Sequence, residues 1–164
     1  MATRHQNLSE TGDKQNLSAG QMTFAIVVAD WNHQVTGSLR DGAYHTLLRY
    51  GARPENIVVK RVPGSIELTL GAQLLAEYMQ PDAVICLGCV IQGETRHFDY
   101  VCDSVTQGIT ELNIRYKLPF VYGILTTENQ QQALDRAGGK HGNKGDEAAI
   151  AAIRMAQMKR ELSP

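Results

Sequence analysis

Four apolar runs of strand length punctuate the chain: Phe24–Ala29, Ile57–Val62 (broken by Lys60 and Arg61), Ala83–Ile91 and Phe120–Leu125. None alternates cleanly between apolar and polar positions. That suits strands covered on both faces, and so a parallel sheet with a layer of helices on each side. Between the runs the apolar residues return at helical spacing, predicting helices over residues 36–50, 65–79 and 98–115. Gly51 stands where a C-cap glycine would end the first of these, and Pro81 lies just past the second. Thr127 with Gln130 fits a capping box that opens a short helix ending near Gly138 and Gly139. An alanine-rich stretch over residues 144–162 predicts the last helix. Strand and helix alternating through right-handed crossovers give an α/β domain of three layers, α/β/α, around a four-stranded parallel sheet.

The second helix is too apolar for one sheet face. Ile66, Leu70, Leu74 and Tyr78 make one row, and Leu68, Ala72, Leu75 and Met79 another. A single sheet covers one stripe of a helix, so either the helix is deeply buried or a second subunit covers part of it. Residues 1–21 contain few large apolar side chains and repeat Gln-Asn-Leu-Ser, which predicts a flexible polar arm ahead of one domain over residues 22–164.

Length and charge narrow the function. The 164 residues suit one domain, and a formal net charge of −1 lacks the basic excess of a nucleic-acid binder. No apolar stretch approaches the roughly 20 residues that span a bilayer, and no apolar signal core stands at the N-terminus, so the expectation is a cytoplasmic protein with no membrane partner. Three cysteines, an odd number, argue against a disulfide framework. Cys86 and Cys89 lie three apart within one strand run, so their side chains point to opposite faces and read as core residues, not as a redox or zinc pair.

Ligands of open parallel sheets gather beyond the carboxyl ends of the strands. The informative segment there is Gly88 to Val101, where an apolar strand passes through Gly93 into a polar helix start. Unpaired N–H groups at such a start favour a phosphate or carboxylate, and His97 places a titratable imidazole in the same first turn. An anion site beside a proton carrier points to catalysis on a phosphorylated small molecule.

That segment resembles the lumazine synthases, and four more agree in order: Asp30-Trp31-Asn32, residues 62–67, residues 122–129, and Arg136-Ala137-Gly138 through Gly142-Asn143-Lys144-Gly145. The match runs from about Thr23 to about Met158. The resemblance implies a flavodoxin-like fold with strand order 2-1-3-4. It also implies a reaction that condenses 5-amino-6-(D-ribitylamino)uracil with 3,4-dihydroxy-2-butanone 4-phosphate, releasing phosphate and water in riboflavin biosynthesis. That reaction needs no cofactor and no metal, because the substrate supplies the attacking amine and the protein must bind, orient and move protons.

By the same resemblance, each residue takes a role. Trp31 stacks on the pyrimidine ring, although its pattern alone favours a place in the core. Asn32 adds a polar contact. Gly64, Ser65, Ile66 and Glu67, read as the start of the second helix, hold the ribityl hydroxyls; without the family, Glu67 is equally a partner for a helix dipole. Val90 and Ile91 line the pyrimidine pocket. Gly93, Glu94 and Thr95 meet the phosphate opposite Arg136, which on its own would read as a solvated charge. Lys144 adjusts the charge there. Gln92 replaces a residue that is usually basic, removing one positive charge near the phosphate. Tyr122 stands where the family commonly has phenylalanine, contributed by a neighbouring subunit. His97 is the general acid and base, and the other four histidines lie outside the matching motifs.

The resemblance extends to assembly: pentamers, and with no insertion between Gly138 and Asn143 a shell of sixty subunits, with a functional link to riboflavin synthase. The arm has no proline to prevent it from pairing along a neighbour's sheet edge. Two other readings compete. A phosphate loop over residues 138–145 fails, because a Walker A motif needs Gly-Lys-Ser/Thr between strand and helix. A non-catalytic flavin or pterin binder of flavodoxin-like form shares the fold, and the pairing of His97 with Arg136 discriminates against it.

Overall fold

The computed structural model describes residues 17–163. Within them the chain runs β1 (Phe24–Ala29), α1 (His33–Arg49), a 3-10 turn (Pro54–Asn56), β2 (Ile57–Val62), α2 (Leu68–Met79), β3 (Ala83–Ile91) and α3 (His97–Tyr116). It continues through β4 (Phe120–Thr127), α4 (Gln130–Asp135), β5 (Ala137–Gly139), β6 (Gly142–Asn143) and α5 (Lys144–Leu162). The four long strands form one parallel sheet in the order β2-β1-β3-β4, so the α/β flavodoxin-like topology is as expected. The antiparallel pair β5–β6 is an addition, since two or three residues carry no readable period.

Burial explains the strand order. All six residues of the interior strand β1 are buried, whereas the edge strand β2 exposes Lys60 and Arg61, the residues that interrupt its apolar run. Alternate β1 side chains feed two cores. Phe24, Ile26 and Val28 join Val35, Leu39 and Leu47 of α1 and Ile153 of α5, while Ala25 and Val27 join Leu68 and Leu75 of α2 and Val105 and Ile109 of α3. Each large apolar side chain so buried contributes about 1.5–3 kcal/mol. Cys86 falls in the second core and Cys89 in the first, on opposite faces of β3. Burial pushes their thiols up to about 12 and about 11.

Two glycines shape the helical layer over the first core. Gly51, at φ 95°, closes α1: its N–H donates to Leu48 O and that of Ala52 to Leu47 O, a Schellman arrangement. Gly145 lets the first turn of α5 rest on α1, since a Cβ there would stand 1.9 Å from Leu39 O.

Three boundaries differ from expectation. The cap of α4 is Asn129, whose side chain accepts from the Gln132 N–H at 2.9 Å, while the Gln132 side chain accepts from the Glu128 N–H. Thr127 cannot take that role because it is buried and still pairs with Ile91 in the sheet. Helix α2 begins at Leu68, so Ser65 to Glu67 form the turn before it. Of the polar segment, residues 1–16 lie outside the described residues. Ala19 and Met22 are already buried, and the Ala19 N–H donates to Tyr50 O at 2.8 Å, so packing begins before residue 22.

The two rows of α2 separate except at Met79. Leu68, Ala72 and Leu75 are buried; Ile66, Leu70, Leu74 and Tyr78 are exposed, Leu70 by 59% and Tyr78 by 83%, and Met79 sides with them. No helix among the described residues is long and apolar enough to cross a membrane.

Candidate active site

The carboxyl ends of β1, β2 and β3 open on a hollow of about 470 Å³. Trp31 and Asn32 enter it after β1, Ser65, Ile66 and Glu67 after β2, and Val90, Ile91, Gly93, Thr95 and His97 from the end of β3 into α3. Trp31 is 72% exposed, so the ring lies open along the hollow and is not core filling. Gly64 lies just outside the lining, where a side chain would stand 3.1 Å from the Glu67 carboxylate. His97 is the first residue of α3, exposed, and its own N–H faces Thr95 Oγ1 at 3.5 Å. The N-cap Arg96 makes no side-chain cap bond, so the His97 N–H has only the long contact to Thr95 Oγ1 and the positive end of the helix dipole borders the hollow. An apolar floor, an aromatic plate, a carboxylate, an anion-accepting helix end and an imidazole therefore meet in one place.

A second, larger hollow of about 860 Å³ lies beyond β4. Tyr122 and the end of β4 form one wall; Gln132 and Asp135 of α4, Arg136, Lys140, His141 and Lys144 form the rest. Its charges are largely matched: Lys140 pairs with Asp135 at 2.9 Å and Lys144 with the buried Glu147 at 3.1 Å. The Lys140 ammonium beside Asp135 holds that carboxyl below its usual range. Arg136 lines this hollow with no ion-pair partner among the described residues. Tyr122 is fixed through its hydroxyl, which accepts from Thr106 Oγ1 at 3.3 Å, and burial pushes its phenol up.

One chain thus divides the expected residues. Trp31, Asn32, Ser65, Ile66, Glu67, Val90, Ile91, Gly93, Thr95 and His97 share the first hollow; Tyr122, Arg136 and Lys144 line the second. Gln92 and Glu94 are exposed in the turn between β3 and α3 without lining either. Sequence reasoning missed Phe98 and Val101, which complete the first floor from α3, and Glu147, Lys140 and His141 beside Arg136. The i, i+3 spacing of Lys144 and Glu147 was the available signal for the buried pair. His141 had none, because the hairpin that presents it is too short to read.

The family model described as 6,7-dimethyl-8-ribityllumazine synthase matches residues 21–160 of the chain. The 6,7-dimethyl-8-ribityllumazine synthase of Parabacteroides distasonis is 60% identical over 155 residues, 94% of this chain and 97% of that one. The protein of the same name from Cytophaga hutchinsonii is 55% identical over 156 residues, with the same shares. That from Porphyromonas gingivalis is 50% identical over 161 residues, 98% of this chain and 99% of its own.

Proposed function

The chain belongs to the 6,7-dimethyl-8-ribityllumazine synthase family, and from that premise we propose that its two hollows are halves of one active site. The family's reaction makes the chain a transferase of riboflavin biosynthesis, joining the ribitylaminouracil to the butanone phosphate with release of phosphate and water. In our reading the pyrimidine lies on Trp31 over Val90 and Ile91, its ribityl chain reaching Ser65 and Glu67. The phosphate sits between the α3 start at Gly93 to Thr95 and an Arg136 guanidinium. His97 carries protons as the amine adds to the ketone, water leaves and the ring closes.

The observation that carries this reading is the separation of Arg136 and Tyr122 from His97 on a single chain. A second copy can unite them. Ile66 lines the His97 hollow and is also the first member of the exposed apolar row Leu70, Leu74 and Tyr78, so a subunit that covers the row reaches the hollow. We infer pentamers closing into a sixty-subunit shell, supported by the resemblance and by the short β5–β6 connection. A functional link to riboflavin synthase follows from the same resemblance. The test is to mix purified protein with both substrates and follow lumazine absorbance and released phosphate. Turnover without added metal is expected. Ring binding without product above the uncatalysed rate would return the chain to the binding-module reading.

A further inference from the structure

We infer that Asn32 is a positioning residue that holds Trp31 at the ring site, and that its side chain is spent on the protein instead of on substrate. The inference rests on the stacking role given to Trp31 above. Asn32 is one of three non-glycine residues at positive φ among the described residues, at φ 58° and ψ 45°, immediately after Trp31 and as the N-cap of α1. Asparagine tolerates this left-handed conformation better than most side chains. As an N-cap it makes no side-chain cap bond. Its amide instead donates to Cys89 O at 2.9 Å, across to β3.

The reason lies in the register. Pairing between β1 and β3 stops at Val28 and Leu87, while β3 runs on to Ile91, paired with β4 alone. The β1 side of β3 is therefore left without a strand where the hollow begins, and the Asn32 amide takes over that edge at Cys89, itself a lining residue. Because a carbonyl accepts, the NH₂ group must face it. On the other side the backbone is tied to β2: the Asp30 N–H donates to Val62 O at 2.8 Å, the Trp31 N–H donates to Pro63 O at 3.1 Å, and the Arg61 guanidinium donates to the Asp30 carboxylate. Trp31 thus stands between a link to β2 and a link to β3, with its ring free. A platform fixed on both sides loses less freedom when a flat ligand stacks on it.

Trp31 is the chain's one tryptophan, so intrinsic fluorescence reports this ring without an added label. The full-length protein would be compared with Asn32→Gly, which keeps the left-handed backbone and removes the tether, and with Asn32→Asp, which keeps the shape and removes the donor. Far-UV circular dichroism checks that each folds. Time-resolved anisotropy should show a larger fast component in both variants. The KM for the pyrimidine should rise about tenfold, the scale of one lost ordering hydrogen bond, with kcat within about threefold. Anisotropy unchanged in both folded variants overturns the tether whatever KM does, as does a fall in kcat with neither KM nor anisotropy altered. A looser ring with pyrimidine KM unmoved in both Asn32→Gly and Trp31→Ala overturns the stacking role from which the inference starts.

Discussion

The two hollows differ in how the chain builds them. The His97 side collects short segments from the ends of three neighbouring strands, each placed by strand register, and combines an apolar floor with a helix start at one side. The Arg136 side grows from one edge strand, a six-residue helix and a small hairpin, and is lined with ion pairs. The hairpin is held to the body by α1, where Asn143 donates to Ser38 O at 2.9 Å and Ser38 donates to Ala137 O; its own ends are joined by the Lys144 N–H donating to Arg136 O at 2.9 Å. In the proposal above, ring recognition and proton transfer fall to the sheet edge, and the phosphate is shared between the α3 start there and the Arg136 guanidinium of a charged attachment on α1.

Substitutions should separate these duties. Arg136→Ala should raise the KM for the butanone phosphate by about two orders of magnitude, the scale of losing a charged, bidentate contact, with pyrimidine binding retained. His97→Ala should lower kcat by about a hundredfold with both substrates still bound, as general acid–base catalysis predicts. Steady-state kinetics with calorimetric titration distinguishes the two. Equal loss of pyrimidine binding in both variants would erase the division.

The exposed row of α2 offers the next test. Leu70→Asp sets a charge on a face that is open in one chain but covered in the assembly we infer. It should leave the melting of the isolated fold near wild type while shifting light scattering to smaller species and lowering activity. An intact assembly would separate the row from the interface.

Tyr122→Phe is expected to be mild. It removes the bond from Thr106 at a cost of about 1 kcal/mol, seen as a fall of a few degrees in Tm, and leaves the aromatic wall in place. The smallest effect concerns the sheet thiols. Burial raises Cys86 and Cys89, so the native form keeps them protonated, and their contribution is full below the ordinary thiol value of about 8.5 and lost as pH rises toward the folded values. A thiol reagent at neutral pH should leave both unlabelled until the protein is unfolded. Rapid labelling of the native protein would mean that β3 opens locally.

Much of the first hollow was legible in the chain because apolar runs locate strand ends, and in a parallel sheet those ends meet at one edge. The glycine turn before His97 could be read directly, since the residues that make the helix start also make the anion site we propose. Trp31 was misplaced by pattern alone: a large aromatic after a strand favours the core, whereas its 72% exposure depends on how the chain leaves β1 through Asn32. The second hollow was less legible. Arg136 is an ordinary C-cap cation until its neighbours Lys140 and Lys144 are seen to be paired elsewhere, and those pairings depend on a two-strand hairpin without a period. The α4 boundary shifted for a related reason, because tertiary pairing kept Thr127 in β4 although its local sequence suits a cap.

The central claim is that His97 of one copy works with Arg136 of another. Co-assembling His97→Ala and Arg136→Ala chains in equal amounts, and measuring lumazine formation, tests it most directly. If each site draws these residues from adjacent copies across a head-to-tail contact, about one site in four is intact in the mixture, so at a butanone phosphate concentration near the wild-type KM, where both parents are nearly inactive, activity should rise to about a quarter of wild type. Activity that stays at the average of the two parents, in assemblies shown to contain both chains, would place the whole site within one subunit and contradict the account.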